Sequence, residues 1–348
     1  NIGKNNKKTL VLTKHHINKR NQKELTISEI FSANVALALE TKKYELHEIA
    51  RPLQVTDVKN LIDKFPAHIS FTDKEEFKGK EILKKFGLAE DAKFVCLHVR
   101  DSGYLNRHIK HEYKDRWQYH SFRDGDIDKY VLAAEELARR EYYVFRMGIN
   151  VLKPLKSSNP KVIDYANSEM SNDFMDIYLS AKCNFFISPG SGIDGVAVIF
   201  RRPIAYIGHL PFGNFARKYN NNNKTLVLTK HHINKKNQQE LTISEIFSAN
   251  VALAYTSGEY KLNDVELKEN SPEEIRDFVI EMYEIVESKK RINPEDQKLQ
   301  ESFQSLFALN IKNSNYRAQV KTPYHKLQGQ IRSCFFTKFL RENKNWLQ

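Results

Sequence analysis

From Leu88 onward, short apolar runs rich in β-branched and aromatic residues alternate with segments of helical periodicity. Such alternation is typical of βαβ units, in which a helix carries the chain from one parallel strand to the next. Six strands are predicted, over residues 94–99, 142–147, 162–165, 184–188, 203–207 and 225–228. The chain is therefore expected to fold as an α/β protein with a Rossmann-like parallel sheet and flanking helices.

Helix start signals fall between and after these strands. Asp126 stands just before a segment whose apolar residues recur on one face, and it is predicted to be the N-cap of that helix. A second helix is predicted over 173–182. The segment 271–274 combines a capping box with proline at the first helical position, which predicts an amphipathic helix that runs through Glu287.

Residues 8–38 recur almost unchanged at 224–254, and only Arg20 and Lys23 are replaced, by Lys and Gln. Two copies are too few for a solenoid, and near-identity at lysines and asparagines indicates a recent copying event or a misjoined reading frame. Each copy is predicted to form a strand, a loop carrying a His-His pair and a helix, over 244–253 in the second copy. One sheet position cannot hold both copies. The first copy is expected to dock peripherally, pair as an edge strand or stay loose.

The alternation stops after Ser288, and helical patterns over 296–308 and 330–346 follow without strands. These helices are expected to pack back onto the sheet. The predicted organisation has four parts: a duplicated peripheral segment over 1–50, a linker and helix over 51–92, the α/β domain over 93–288, and a helical C-terminal extension over 289–348.

Composition indicates an anionic partner but does not identify which kind. The formal net charge of +12 predicts attraction to phosphates of nucleic acid, anionic lipid or a nucleoside diphosphate. No RNP-like motif or helix-turn-helix signature is found, so nucleic acid is not the expected partner. Cys96, Cys183 and Cys334 form no CxxC pair, and no apolar run approaches the ~20 residues of a membrane span. A cytoplasmic location fits best, with peripheral membrane contact left open.

The first predicted strand ends in His98-Val99-Arg100-Asp101. In open parallel sheets the ligand lies beyond the carboxyl ends of the strands, where the planar guanidinium of Arg100 could bind a diphosphate through two hydrogen bonds. The alternative is a structural arginine paired with Asp101.

The fourth predicted strand ends in the turn Ser188-Pro189-Gly190-Ser191-Gly192. A helix is predicted over 195–200, and a turn of small residues at a helix start presents backbone N–H groups and hydroxyls to an anion. The alternative is an ordinary connection between strand and helix. Two phosphate-suited features at separate strand ends reinforce each other.

Two further motifs, an acidic run and a Lys-His-His segment, are considered as metal or phosphate ligands. Asp124, Asp126 and Asp128 resemble a metal-binding run, but they open a helix, where acidic residues serve as cap and helix-dipole partners, so no metal site is expected. Lys230 and the His231-His232 pair follow the sixth predicted strand and could reach the same edge of the sheet. Lys230 could meet a phosphate there.

Several stretches together resemble a family of bacterial proteins assigned as glycosyltransferases. They are HVRDSGYL, YHSFRDGDIDKYVLAAEELARREYYVFRMG, SNDFMDIYLSAKCNFFISPGSGIDGVAVIFRRPIAYI and LTISEIFSANVALA, and QGQIRSCFFTKFLRENKNWL is similar too. The resemblance covers residues 51–346. More remotely, His-x-Arg followed by a serine-rich strand end resembles the donor half of fucosyltransferase-type GT-B enzymes.

That remote resemblance implies roles for individual residues. Arg100 would stabilise the diphosphate leaving group of the donor, and the hydroxyls of Ser188 and Ser191 would bind phosphate. The sequence 101–103 departs from the Arg-Gly-Asp of fucosyltransferases, so neither fucose nor guanosine is implied. Only 93 residues precede the first strand, so the acceptor half of a GT-B enzyme is expected to be largely missing.

The residues and the resemblance together predict metal-independent glycosyl transfer from a nucleoside-diphosphate sugar to a glycan or lipid-linked acceptor, with no cofactor besides the donor. Asp101 or His98 is the candidate base or orienting group. Asp164, Glu169 and Asp173 could meet the base or ribose. The groups expected to hold the diphosphate are Arg100, Ser188, Gly190, Ser191, Gly192, Lys230 and the helix start at Ile193. The rival hypothesis is a non-catalytic nucleotide- or polyanion-binding protein derived from a truncated glycosyltransferase.

Overall fold

The computed structural model of the chain describes residues 64–108, 118–217, 225–289, 293–313 and 333–348. The duplicated segment predicted over 1–50 lies outside the described residues, as does the start of the linker predicted over 51–92. How the first copy docks therefore stays a prediction.

Seven parallel strands form the main sheet, in the order β3-β2-β1-β4-β5-β6-β9, and β7 pairs with β8 in a separate antiparallel ribbon. The strands are β1 Phe94–His98, β2 Tyr143–Met147, β3 Val162–Ile163, β4 Phe185–Ser188, β5 Ile204–Ile207, β6 Thr225–Leu228, β7 His231–Asn234, β8 Val265–Lys268 and β9 Cys334–Phe335. The six predicted strands are confirmed. Five match within one residue at each end, and the third is shorter by two residues.

Helices cover and extend this sheet. They are α1 Asp73–Lys85, α2 Gly103–His108, α3 Val131–Arg139, α4 Asp173–Lys182, α5 Asp194–Ile199, α6 Ile243–Ser248, α7 Ser257–Leu262, α8 Pro272–Val286, α9 Pro294–Asn313 and α10 Thr337–Glu342. The Ser271 capping box of α8 is confirmed, and the Asp126 side chain accepts the N–H of Asp128 at the start of a 3₁₀ turn that leads into α3. These starts depend on residues three or fewer positions apart, so the sequence could predict them.

The order of the strands reverses at β1. The chain runs outward from β1 through β2 to β3, returns to place β4 on the other side of β1, and then continues outward through β5 and β6. Such a reversal is the switch point where doubly wound sheets open a crevice for ligands. The sheet therefore confirms the Rossmann-like α/β prediction and brings the carboxyl ends of β1 and β4 side by side.

The prediction that no strand follows Ser288 is wrong. Cys334 and Phe335 pair in parallel with Leu226 and Val227 of β6, and among the described residues of the predicted helix 330–346 only Thr337–Glu342 are α-helical. The physical reason is tertiary. Phe335 is fully buried, so the apolar run that carries it fills the otherwise open edge beside β6.

The His231-His232 pair was predicted as a loop, and this too is wrong. His231–Asn234 form β7, which pairs antiparallel with Val265–Lys268 of β8. The partner strand lies more than 30 residues away along the chain, so the local pattern could not indicate the pairing. The helix predicted over 244–253 is the shorter α6, Ile243–Ser248.

An aromatic cluster joins the C-terminal elements to the rest of the fold. Phe303 of α9 stacks on Trp346, whose ring also packs on Phe335 of β9 with centroids 4.9 Å apart. Phe307 packs edge to face on Phe247 of α6, inside the second copy of the repeat. The helices after Ser288 thus pack back onto the sheet through buried rings.

None of the helices in the described part of the chain is both long and apolar enough to cross a membrane.

Gly79 in the middle of α1 lies against the ring of Tyr178 in α4, and a Cβ there would overlap the ring. Tyr178 is buried and its hydroxyl donates to Glu76 at 3.1 Å, so the ring cannot swing away cheaply. Gly79→Ala should lower the free energy of unfolding by about 1–3 kcal/mol despite alanine's higher helix propensity. Urea unfolding measures this change.

Gly195→Ala is the matched control, because Gly195 is also helical and a Cβ added there meets no atom within 4 Å. It should be neutral or stabilise by up to about 1 kcal/mol. Equal effects of the two variants would show that the contact between α1 and α4 is not close-packed.

Candidate functional site

Arg100 follows β1 at the switch point and is largely buried. Its Nη1 donates to the backbone carbonyl of His120 at 3.2 Å and to the carboxylate of Asp124. The N–H of Gly125 in turn donates to the Arg100 carbonyl at 2.9 Å. The alternative predicted a structural arginine paired with Asp101, and that partner is wrong. Arg100 pairs with Asp124, 24 residues further along the chain.

Asp101 joins two loops. Its Oδ1 accepts the N–H of Gly103 at 2.8 Å, and its Oδ2 accepts the N–H of Leu152 at 3.0 Å. Both carboxylate oxygens are thus engaged by backbone N–H groups, which fixes the start of α2 against the loop after β2.

His98 and Arg146 lie side by side at the ends of β1 and β2. Burial lowers the pKa of His98, so its ring is neutral at pH 7, and its buried Nδ1 has no hydrogen-bond partner among the described residues. Arg146 is fully buried, with Nη1 3.4 Å from Asp164 and Nη2 3.8 Å from Asp101. Burial also lowers the pKa of Arg146, against the attraction of those two carboxylates.

The turn 188–192 already holds an anion, and that anion belongs to the chain. The buried carboxylate of Asp194 accepts the hydroxyl of Ser188 at 2.8 Å and the N–H of Ser191 at 2.7 Å. The Ser188 hydroxyl also accepts the N–H of Gly190, whose φ of +95° requires glycine. The helix predicted over 195–200 is confirmed as α5, Asp194–Ile199, shifted by one residue.

A cavity of about 640 Å³ opens at the carboxyl edge of the sheet, and we call it the strand-edge cavity. Its wall comes from the end of β1, the segment 121–127, the loop after β2, the antiparallel ribbon of β7 and β8 with its flanking residues, and α7. The lining residues are Val99, Asp101, Ser121, Phe122, Asp124, Gly125, Asp126, Ile127, Leu152, Lys153, Lys230, Lys235, Ser257, Tyr260, Lys261, Val265, Glu266, Leu267 and Glu269. The volume falls in the range of small-molecule sites, about 300–1,000 Å³.

A small recess of about 10 Å³ is lined by Arg100, Pro189 and Lys230, and thus connects the ends of β1, β4 and β6. Lys230 also lines the strand-edge cavity, so the two spaces share this residue. Asp101 lies in the cavity wall as well. The other predicted site residues, namely His98, Asp173, Ser188, Gly190, Ser191 and Gly192, line neither space.

Lys230 is a buried cation at the junction of these spaces. Its Nζ donates to the carbonyl of Asp124 at 2.5 Å and lies 3.8 Å from the carboxylate of Glu269. Burial lowers the pKa of Lys230, and Glu269 and Asp124 oppose that shift. Burial likewise raises the pKa of Asp124, against the attraction of Arg100 and Lys230. Two cations therefore meet at Asp124, Arg100 in the small recess and Lys230 where the recess and the cavity join.

The sequence prediction missed the far wall of the cavity. Lys235 and Lys261 line it, and within the described ranges neither has a carboxylate close enough for a salt bridge. Phe122 and Tyr260 contribute a pair of rings with centroids 5.4 Å apart. Lys235 directly follows β7, Tyr260 and Lys261 belong to α7, and Phe122 belongs to a 3₁₀ turn. The signal that could have indicated them is the β-rich pattern of 265–268.

The carboxylates expected at the base or ribose are placed elsewhere. Asp164 accepts the N–H of Leu155 at 3.1 Å and faces Arg146, so it holds a loop. Asp173 lies in the first turn of α4, and its charge contributes to raising the pKa of Asp176, which burial raises to about 6. Glu169 lines neither space.

His231, the first residue of β7, links the antiparallel ribbon of β7 and β8 to α8 through hydrogen bonds. Its Nδ1 donates to Glu240 at 2.8 Å and its Nε2 donates to Glu274 at 2.9 Å. His232, its neighbour, points the other way and is buried, with a pKa that burial lowers to about 4. The pair thus combines a charged structural histidine with a neutral one.

No family model, curated protein or solved structure matches this chain.

Asp124→Asn should raise the affinity for inorganic pyrophosphate roughly five- to tenfold, because an incoming anion would no longer compete with a carboxylate for Arg100. Isothermal titration calorimetry measures the affinity. Asp128→Asn is the matched control, since Asp128 pairs with Lys153 at 3.1 Å on the surface. If Asp124→Asn binds pyrophosphate no more tightly than the control, Asp124 does not occupy an anion site.

Stability should fall as the pH rises from about 6.5 toward 10. Burial alone would lower the pKa of His231, but the hydrogen bonds to Glu240 and Glu274 outweigh it and raise the pKa to about 10. The unfolded histidine titrates near 6.5, so the folded state binds the extra proton between these values and loses its benefit as that proton leaves. Urea unfolding across this pH range measures the slope.

His231→Gln should flatten that slope, whereas His15→Gln, at the same position of the first copy, should leave it unchanged. A slope that persists in His231→Gln would assign the pH dependence to another group.

Proposed function

We propose that this chain binds a nucleoside-diphosphate sugar in the strand-edge cavity and transfers the sugar without a metal ion, as a glycosyltransferase of the GT-B donor-domain type. The observation that carries the proposal is the cavity itself, which lies at the switch point of a doubly wound sheet. Lys230 stands at its base, and Lys235 and Lys261 line its far wall. This arrangement suits a ligand with a polar body and a multiply charged anionic group.

The walls of the cavity suit the remaining parts of such a donor. The rings of Phe122 and Tyr260 offer an apolar surface to a nucleobase, and Glu266 and Glu269 offer acceptors for ribose or sugar hydroxyls. Arg100 can reach the diphosphate by exchanging Asp124 for phosphate oxygens. Arg100 bonds to the Asp124 carboxylate through Nη1 alone, whereas a phosphate free to orient itself can accept two parallel hydrogen bonds from the guanidinium.

The proposed chemistry needs one base and one cluster of cations. An acceptor hydroxyl attacks the anomeric carbon, the bond from that carbon to the diphosphate oxygen breaks, and the leaving nucleoside diphosphate keeps the electron pair. Arg100 and Lys230 stabilise its charge. Of the two candidate bases, Asp101 lines the cavity and His98 does not, so Asp101 is the better placed to take the proton.

A second candidate function is nucleotide or polyanion binding without catalysis. It is favoured by the engagement of the predicted phosphate ligands with the chain's own carboxylates, Arg100 with Asp124 and Ser188 with Asp194. The two functions differ in turnover. Release of nucleoside diphosphate from the bound donor, followed with and without glycan or lipid-linked acceptors, separates them.

A panel of nucleoside-diphosphate sugars should contain at least one that raises the midpoint of thermal unfolding, because a ligand that binds only the folded state stabilises it by mass action. Lys230→Met should weaken that ligand at least roughly tenfold, since it removes the buried cation at the base of the cavity.

Lys14→Met is the matched control, because Lys14 has the same neighbours in sequence, Thr-Lys-His-His, in the first copy. It should leave the affinity unchanged. A panel in which no nucleotide sugar stabilises the protein, or equal losses in both variants, would contradict donor binding in this cavity.

A further inference from the structure

Three half-exposed apolar side chains lie where two loops adjoin: Tyr104 in the first turn of α2, directly after the loop that follows β1, and Ile149 and Leu152 on the loop after β2. Of the three, Leu152 lines the strand-edge cavity. Tyr104 is 49% exposed, Ile149 45% and Leu152 60%. We call these residues the rim patch. Single exposed apolar residues are ordinary on protein surfaces, but several gathered beside a cavity indicate an interaction site.

The two loops are locked together, so the rim patch is formed before any partner arrives. Gly103, next to Tyr104, lies so close to the carbonyl of Asn150 that no side chain would fit between them. Arg107 donates to the side-chain oxygen of Asn150 at 2.7 Å. Asp101 binds the N–H of Leu152 at 3.0 Å.

Two cations lie on the same segments as this apolar surface: Arg107 bonds to Asn150, next to Ile149, and Lys156 follows Leu152 by four residues on the loop after β2. Arg107 and Lys156 are exposed, and in the described part of the chain neither has a carboxylate partner within salt-bridge distance. Lys153, by contrast, is neutralised by Asp126 and Asp128 at 2.9 and 3.1 Å. The rim patch thus combines apolar side chains with two uncompensated positive charges.

We propose that the rim patch docks on the surface of a membrane that contains anionic lipids. Tyr104, Ile149 and Leu152 enter the interfacial region, where tyrosine and aliphatic side chains are favourable, and the two cations meet lipid phosphates. The net charge of +12 adds long-range attraction to such a surface. A second copy of the chain fits less well, because self-association through this patch would bring the cations of both molecules together.

Docking in this way sets the strand-edge cavity against the membrane. Asp101 and Leu152 line the cavity and also belong to the joined loops, so the cavity mouth faces the lipid surface. If the proposed glycosyl transfer holds, and this step rests on it, the acceptor is a lipid whose hydroxyl enters from the bilayer while the donor enters from solution.

Vesicle flotation tests the docking without reference to turnover. The whole chain should bind vesicles of mixed phosphatidylglycerol and phosphatidylcholine, and bind pure phosphatidylcholine vesicles much less. Tyr104→Ser with Ile149→Ser should weaken binding to the mixed vesicles roughly tenfold. Arg107→Gln with Lys156→Gln should weaken it and make it less dependent on salt.

Phe77→Ser with Leu309→Ser is the matched control, because these apolar residues are 69% and 55% exposed on α1 and α9. It should bind the mixed vesicles like the unaltered chain. Circular dichroism shows whether each variant is folded, and nucleotide-sugar stabilisation, measured without vesicles, reports on the cavity separately. Failure there with intact vesicle binding would contradict the proposed function alone.

The docking proposal is overturned if the unaltered chain does not float with the mixed vesicles, or if the control pair weakens binding as much as the rim-patch pair. It is also overturned if the folded rim-patch variant binds normally but loses a concentration-dependent dimer, which would assign the patch to a second copy of the chain.

Discussion

The pairing of β1 with strands on both sides is the constraint on which the rest of the structure depends. Its residues 95–97 bond to β2 on one side and to β4 on the other, and all three are buried. Both halves of the sheet therefore start from this strand, and the order of strands reverses beside it. Arg100 and Asp101 stand at the edge where the cavity opens because β1 is fixed two or three residues earlier.

Charge at this edge is balanced inside the protein. A buried cation is costly unless it is paired and hydrogen-bonded, and Asp124 supplies its carboxylate to Arg100 and its carbonyl to Lys230. In the turn that follows β4, Asp194 accepts from neutral donors instead, namely the Ser188 hydroxyl and the Ser191 N–H. The two carboxylates differ in access. Asp194 is 4% exposed and belongs to the core, whereas Asp124 lines the cavity, where the proposed function has a ligand anion take its place.

The structure of the second copy of the repeat depends on partners outside the copied residues. The second copy forms β6, β7 and α6, and its partners β5, β8 and β9 lie outside the copied residues 224–254. The His231 ring bonds to Glu240 within the copy, but its second partner, Glu274, lies outside the copy on α8. A segment with the same apolar residues cannot share that position, because each parallel strand has only two neighbours and both are already bonded.

Local interactions were determined by the sequence alone. The capping box at Ser271, the Asp126 cap and the strands from β1 to β6 follow from residues close together in the chain, where periodicity and hydrogen-bond chemistry are readable. The position of Arg100 at the carboxyl end of β1 was predictable for the same reason. The reversal of strand order beside β1 was not, because a local pattern indicates the strands along the chain but not their order in the sheet. The contact of Ser188 with Asp194 spans six residues and could have been anticipated, although the turn was interpreted as an open anion site.

Tertiary structure decided the remainder. Lys230 donates to the carbonyl of Asp124, 106 residues away along the chain. The strand β7 pairs with β8, which follows α7, and β9 from the C-terminal region pairs with the edge of β6. No local pattern encodes such contacts, because their stability comes from burying apolar surface and pairing charges that meet only once the sheet has formed. The sequence therefore specified which residues stand at the carboxyl edge of the sheet, and packing alone decided the shape of the cavity there and which charges face it.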